Sequence, residues 1–585
     1  MSRTGIRALF AAALLAAGVP ASAQPAPQPS AQAAADASFE TLARTYLAEY
    51  EVRDPLFADG IGVHDYDDRL PDYSAKGLAA REGWQKTWRT RVEAVAPASL
   101  SPGGNADRTA LLDSIELELF EDGTIDPWRT NPAQYVEAIG SACYDMTSRT
   151  YAPVDARYSA LAARLTELPG LAQAAMDNLT RPPRVVTDYA IEQNAGNVSF
   201  YRDDLPKLAE AASPAVRAKI AARLPAVVAA LERLQTFLKG PLLARSDGNT
   251  RVGAEVFDRE LVLADGIDVP RETLVARARA AMAAQRAQML QLALPLDKQF
   301  FPAASREGSG DELIDRVVGR VLKRLSDDHP ARDAVFATAK DDLVSIEAFL
   351  TKDPVVRLPV PSTLHVAPTP AFLAGFGGAS FDGPGPFSPM AEGYYYIDEI
   401  PASWSPERVA SYLREYNDYE MKMLTIHEAV PGHYVQSRYN NALPSIVRRV
   451  FGNGSFVEGW AVWCEGMMLD AGYGDGDPRL RLFQLKWRLR EEANAVIDAE
   501  YHAGTLTEAQ LYDFLEQQAF QEHAEAQTKW HRLQVSHDQL SSYFAGLDAI
   551  QSARAATRGR YDLAAFNQRL LDIGDVEPRF IASLI

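Results

Sequence analysis

Apolar residues recur at three- and four-residue intervals over most of this 585-residue chain, and a segment with that spacing folds most readily as a helix with one buried face. From Ser213-Pro214, an N-cap and first-turn pair, Leu224, Val227, Val228, Leu231, Leu234 and Leu238 keep the period until Gly240, where the run is expected to end. Leu274, Ala278, Met282, Met289 and Leu292 mark a second long helix, which Pro295 is expected to stop. Such stripes are read as core faces rather than binding faces, because a half-buried helix requires one. The texture changes between Lys352 and Ile400. There the β-prone runs 354–358 and 394–397 flank GFGGASFDGPGPF, residues 375–387, which predicts a small antiparallel sheet beside a mobile surface loop. These glycines do not match GxGxxG and no helix opens after them, so they are not a nucleotide loop. The acidic stretch 470–477 misses the EF-hand spacing and its closing Glu, and reads as a turn between helices. Helices resume near Ser405 and continue almost to the C-terminus.

At the other end, Arg3 and Arg7 precede an apolar run from Ala8 to Val19 and the small-residue sequence Ala21-Ser22-Ala23. That layout predicts a secretory signal peptide over residues 1–23, cut after Ala23. The run is short of the roughly 20 residues that span a bilayer, and no Cys follows it for lipid attachment. Residues 24–37, rich in Pro, Ala, Gln and Ser, are expected to be a disordered spacer. No long apolar segment follows, so no membrane span is expected in the mature chain. The remaining length exceeds what one core usually supports and predicts two lobes, an N-terminal helical lobe at 38–350 and a catalytic lobe at 351–585. Formal charge is −19, or −21 without the leader's two arginines, which argues against nucleic acid as a partner. The two cysteines, Cys143 and Cys464, are expected to be free thiols.

The chemistry concentrates in His427-Glu428-Ala-Val-Pro431-Gly432-His433. Imidazole is a natural zinc ligand, and a Glu directly after the first His is where metallopeptidases keep their general base. The usual HExxH spacing puts both histidines on one helical face, whereas here the second stands at i+6, about 120° away on a regular helix. Pro431 and Gly432 offer a remedy, a bulge that absorbs two residues and returns His433 to the metal. Downstream, Glu458 and Glu465 lie seven apart among Phe456, Trp460 and Trp463, so one carboxylate can bind metal while the other orients a ligand. His2Glu plus water is a recognised catalytic zinc set.

HEAVPGHYVQ followed by EGWAVWCE resembles the bacterial proteins grouped as domain of unknown function 885, which belong with the gluzincin-like zinc peptidases. The resemblance extends from the early DPLFADGIGVHDYDDRLPDYS segment to the C-terminal helices. It implies a largely helical, two-lobed fold with a deep groove, with His427, His433 and Glu458 as zinc ligands, Glu428 as base and Glu465 behind a ligand. By the same likeness Asp498 and His502 match an Asp-x-x-x-His pattern, and Arg532, Gln539 and Tyr543 match an Arg, Pro-Gly-Gln, Ser-Tyr pattern. Here His537-Asp538 replaces the Pro-Gly, and Tyr434 stands where many relatives carry His.

The expected reaction is zinc-dependent hydrolysis of a peptide bond, with Glu428 moving the proton, Tyr543 donating to the oxyanion and His502 a candidate catalytic assistant. Arg532 is a candidate anchor for a substrate's terminal carboxylate, and Tyr396, in an edge strand at 394–397, for its backbone. His523, His531 and His537 are further oxyanion candidates, while His64, His329 and His365 are assigned surface or structural roles. The layout fits an exported, periplasmic bacterial enzyme. Two rivals are a peptide-binding protein on a degenerate peptidase scaffold, which has no need of Glu428, and a zinc hydrolase of esters or non-peptide amides.

Overall fold

The computed structural model describes residues 30–370, 378–388, 392–537 and 539–585. The expected signal peptide and its cleavage point lie outside the described residues, as does Asp538. The chain is mostly helical, with one small sheet, and among the described residues no helix is long and apolar enough to cross a membrane.

The first helix, Ala31–Arg53, starts where the Ser30 hydroxyl accepts from Ala33 N–H at 3.1 Å, and it buries Phe39, Tyr46, Leu47 and Tyr50. Residues 31–37 therefore belong to a helix and not to a disordered spacer. Their alanines have the highest helix propensity, and Ser30 supplies the N-cap. Helices Val154–Asn178 and Pro214–Phe237 pack together through the expected leucine stripe. The second of them does not end at Gly240 but continues as a π-turn, Leu238–Leu242. Likewise Arg271–Phe300 runs through Pro295. Pro295 is on the solvent face, where the carbonyl it leaves without an N–H can turn to water, while Leu296 and Asp297 beyond it are buried.

That helix lies along Pro478–His502, and Met282 and Met289 share one core with Leu482, Leu489 and Val496. Residues 257–325 and 482–545 thus form a single packed unit across the boundary expected at 350. A periodic stripe tells which face is buried, not which segment covers it. Among the described residues both cysteines are free and buried.

The sheet has the order β1-β3-β2, with β1 Leu364–Pro368, β2 Ala379–Asp382 and β3 Gly393–Ile397. β1 pairs parallel with β3 and β2 antiparallel, Val366 and Phe381 both standing opposite Tyr395. The sheet is mixed rather than antiparallel, and β3 is its central strand rather than an edge. The run Tyr395-Tyr396-Ile397 is buried without alternation, which is the mark of a strand covered on both faces. Part of the expected surface loop is β2 itself. The residues after it are pinned to the N-terminal half: Phe387 N–H donates to Ile61 O at 2.9 Å, and a side chain at Gly385 would collide with the Gly60–Ile61 backbone.

Candidate metal centre

Helices from both halves of the chain and β2 enclose a cleft of about 610 Å³. The first histidine helix, Asp418–Glu428, opens at Asn417, whose side chain accepts from Tyr419 and Glu420 N–H. It ends at Glu428, and a second histidine helix begins afresh at His433 and runs to Asn440. The junction is a four-residue link, 429–432, and not the expected bulge within one helix. Its tightness depends on Gly432: the N–H donates to Ile426 O at 3.0 Å, and a Cβ there would stand 1.8 Å from the His427 carbonyl oxygen. Trp460 Nε1 donates to Pro431 O at 3.0 Å and ties the link to the glutamate helix, Gly454–Asp470.

This junction brings the two imidazoles to ring centroids 4.8 Å apart, nearly perpendicular. Glu458 Oε2 lies 3.4 Å from His427 Nε2 and 3.6 Å from His433 Nε2, and it is buried with no hydrogen-bond partner among the described residues. Two ligands each about 2.0–2.1 Å from one zinc at the tetrahedral angle are separated by about 3.3–3.4 Å. The donor set therefore fits a zinc ion in both chemistry and spacing. On the far side of His427, Nδ1 is 2.8 Å from Glu465 Oε1. Burial opposes charge on His427, yet Glu458 and Glu465 outweigh it and hold its pKa well above the usual imidazole value. His433, with burial dominant, is pushed down to about 4.

Glu428 faces the same space, its Oε2 4.0 Å from His433 Nε2. Burial raises its pKa to about 7, against His427 and a hydrogen bond from the backbone of Phe381 in β2. The free edge of the sheet is thus turned toward Glu428, and Ala379, Ser380 and Phe381 line the cleft. The strand position expected for residues 394–397 belongs to β2.

Tyr543, on the helix Gln539–Ala556, lines the cleft with its ring 6.4 Å from that of His427. Arg532 Nη2 donates to the Tyr543 hydroxyl at 3.4 Å, and its Nε donates to Gln539 Oε1 at 3.1 Å. The Arg532 guanidinium is therefore engaged beside Tyr543. Two other candidates fall elsewhere. His502 is fully buried in the interior, stacked on Phe257 and 3.6 Å from Asp498, and it does not line the cleft. As residues i and i+4 on the long helix Pro478–His502, both point into the core that covers it. Tyr396 stacks on Tyr394 and meets the Tyr144 hydroxyl at 3.2 Å, on the sheet face away from the cleft, because β3 alternates its side chains. His523 and His531 are exposed, and His537 pairs with Glu260 at 3.0 Å; none of the three lines the cleft. Tyr434 accepts from Thr363 N–H at 2.8 Å and braces the approach to β1.

Several cleft residues escape a reading of the sequence: Arg490, Glu491 and Asn494 on the long helix and Lys529 on the helix His523–Val535. Glu491 stands behind Glu465, and burial, with that neighbouring carboxylate, raises its pKa well above the usual value. The available signal was charge within Lys486-Trp-Arg-Leu-Arg-Glu-Glu, on a helix whose length left few exposed faces. His64, assigned a structural role, is stacked flat on Tyr151 with Nδ1 3.2 Å from Asp67.

The sequence model of a family described as "Bacterial protein of unknown function (DUF885)" matches residues 55–585. Among solved structures, "a putative lipoprotein of unknown function" from Shewanella oneidensis is 26% identical, with a TM-score of 0.78, covering 94% of this chain and 99% of that one. A "putative lipoprotein" from Colwellia psychrerythraea is 16% identical and shares the fold, with a TM-score of 0.76, covering 94% of this chain and 98% of that one. No curated protein matches the chain.

Proposed function

The chain belongs to the bacterial DUF885 family, and from the centre it builds on this fold we propose that it is an exported zinc-dependent hydrolase of peptide bonds. The observation that carries the reading is the convergence of His427 Nε2, His433 Nε2 and an otherwise unpartnered Glu458 oxygen at zinc-ligand spacing, with a second carboxylate, Glu428, beside them. Zinc held there supplies a Lewis acid for the scissile carbonyl and for water. Glu428 takes the proton from the attacking water and delivers it to the leaving amine, a role suited to a carboxyl poised near neutrality. Tyr543 donates its hydroxyl proton to the oxygen on which negative charge develops, and Arg532 orients that hydroxyl. Glu465 accepts from His427 Nδ1 and leaves Nε2 for the metal. The open edge of β2 offers main-chain hydrogen bonds to an extended substrate.

A base set beside the ligands favours hydrolysis over binding alone. Export rests on the leader at residues 1–23, and the periplasm is the compartment that fits it. The test combines metal analysis of the purified protein with mass spectrometry of a peptide library. About one zinc per chain and new peptide termini are expected. Zinc-loaded protein that left the library intact would overturn the reading.

A further inference from the structure

One wall of the cleft is made by the long helix Pro478–His502 and the helix His523–Val535. On the latter, Glu525, Lys529 and Arg532 follow at i, i+4 and i+7 and so share a face. Arg490 reaches across to them, its Nη2 2.7 Å from Glu525 Oε1. Its Nη1 is buried and has no acceptor among the described residues. Lys529 is only 2% exposed, and its ion pair with Glu525 is at 3.9 Å, too long for a hydrogen bond. Farther back, Glu415 and Glu420 are both engaged by Lys486. Arg490 and Lys529 therefore crowd one carboxylate with donors left over, on the wall of the cleft that holds His427, His433 and Glu458. Burial and the flanking charges of Arg490 and Arg532 pull the Lys529 pKa well below its usual value, against Glu525 and Glu491. Leaving such donors without acceptors is costly, and a carboxylate entering from the cleft removes that cost.

We propose that Arg490 and Lys529 form an anchoring subsite for a substrate carboxylate, so that the preferred substrates are short peptides with a free carboxylate in reach of the metal centre. The carboxylate is the C-terminus or an acidic side chain. The proposal rests on the peptidase reading of the same cleft.

The test uses zinc-loaded Glu428→Gln protein, in which binding is read by calorimetry without turnover. The probes are acetyl-Ala-Ala-Phe-Ala-Gln as the free acid, the same peptide as its C-terminal amide, and the amide with Glu as the last residue. The free acid is expected to bind roughly 10–100-fold tighter than the Gln amide if the terminus is the anchor, and the Glu amide to do so if a side chain is. Lys529→Met should erase that preference and Lys529→Arg restore it; Arg490 is left in place because its loss would strand Glu525. The proposal is overturned if acid and amides bind alike or none binds at millimolar concentration. It is overturned equally if the preference survives Lys529→Met, which would give the carboxylate to the metal, or if that variant weakens all three probes equally. Failure of the peptidase reading is distinguishable: unsubstituted protein would then hydrolyse none of the probes, whatever their order of binding.

Discussion

His427 Nδ1 stands 2.8 Å from Glu465 Oε1, and this one contact decides which ring nitrogen faces Glu458 and His433. A neutral His427 that donates Nδ1–H to this buried carboxylate would present its Nε2 lone pair to a metal. Glu465→Gln keeps an acceptor but removes the charge that makes the imidazole a better ligand. Zinc affinity, measured by competition with a chelator, should fall about 10–100-fold. An unchanged affinity would remove Glu465 from the centre.

Glu428→Gln should keep zinc and fold while turnover of a cleavable library peptide drops by at least 10²–10⁴-fold, roughly the range for losing a general base. Near-normal hydrolysis would mean that another group moves the proton.

Tyr543→Phe deletes one hydroxyl held by Arg532. Because such a donor acts where charge develops, kcat should fall by roughly 10²–10³ with KM nearly constant. A change in KM alone would make Tyr543 a binding residue.

Gly432→Ala places a methyl 1.8 Å from the His427 carbonyl oxygen and 2.5 Å from that of Ile426, both backbone atoms that cannot swing aside. The link must open and His433 must leave its position, so zinc occupancy and the thermal midpoint should both fall. Gly454→Ala, at a position with nothing within 4 Å, is the control and should change neither.

Asp575 gives a prediction in pH. Burial raises its carboxyl to about 8, against a hydrogen bond from Gln436. The folded protein then holds a proton that the unfolded chain releases near pH 4, so this contribution is full at acid pH and is lost as pH rises toward and through 8. Asp575→Asn keeps an acceptor and cannot ionise. Its melting temperature should match the parent's within about a degree at pH 4 and exceed it by a few degrees at pH 9. Parallel melting curves across that range would show that Asp575 is already charged in the fold.

The helical character of the chain was legible because burying one face of a helix forces a period that any stripe reveals. The ligand trio was legible for a different reason: His, Glu and His around Pro431-Gly432 carry their chemistry in their identities. What could not be read was partnership. Nothing local says that Met289 meets Leu489, or that β3 would be flanked on both sides and its neighbour β2 turned toward Glu428. From sequence the link between the histidines reads as a bulge because dihedral freedom at Gly432 is visible there, whereas the carbonyls it must pass are not. Arg490 and Lys529 do not stand out in sequence, since a charge on a helix is ordinarily solvated, and only packing shows Lys529 and Arg490 Nη1 to be buried.

The core joining residues 257–325 to 482–545 orders events in time as well as in space. A chain that appears N-terminus first must carry the apolar faces of Leu274, Met282 and Met289 only partly covered until Leu482, Leu489 and Val496 have emerged. Closing so long an interval of sequence is slow relative to local helix formation, and the waiting surface is prone to aggregate. The centre inherits this delay. Glu465 is backed by Glu491 on the same late helix, so the wall behind His427 is complete only once the two distant segments have met.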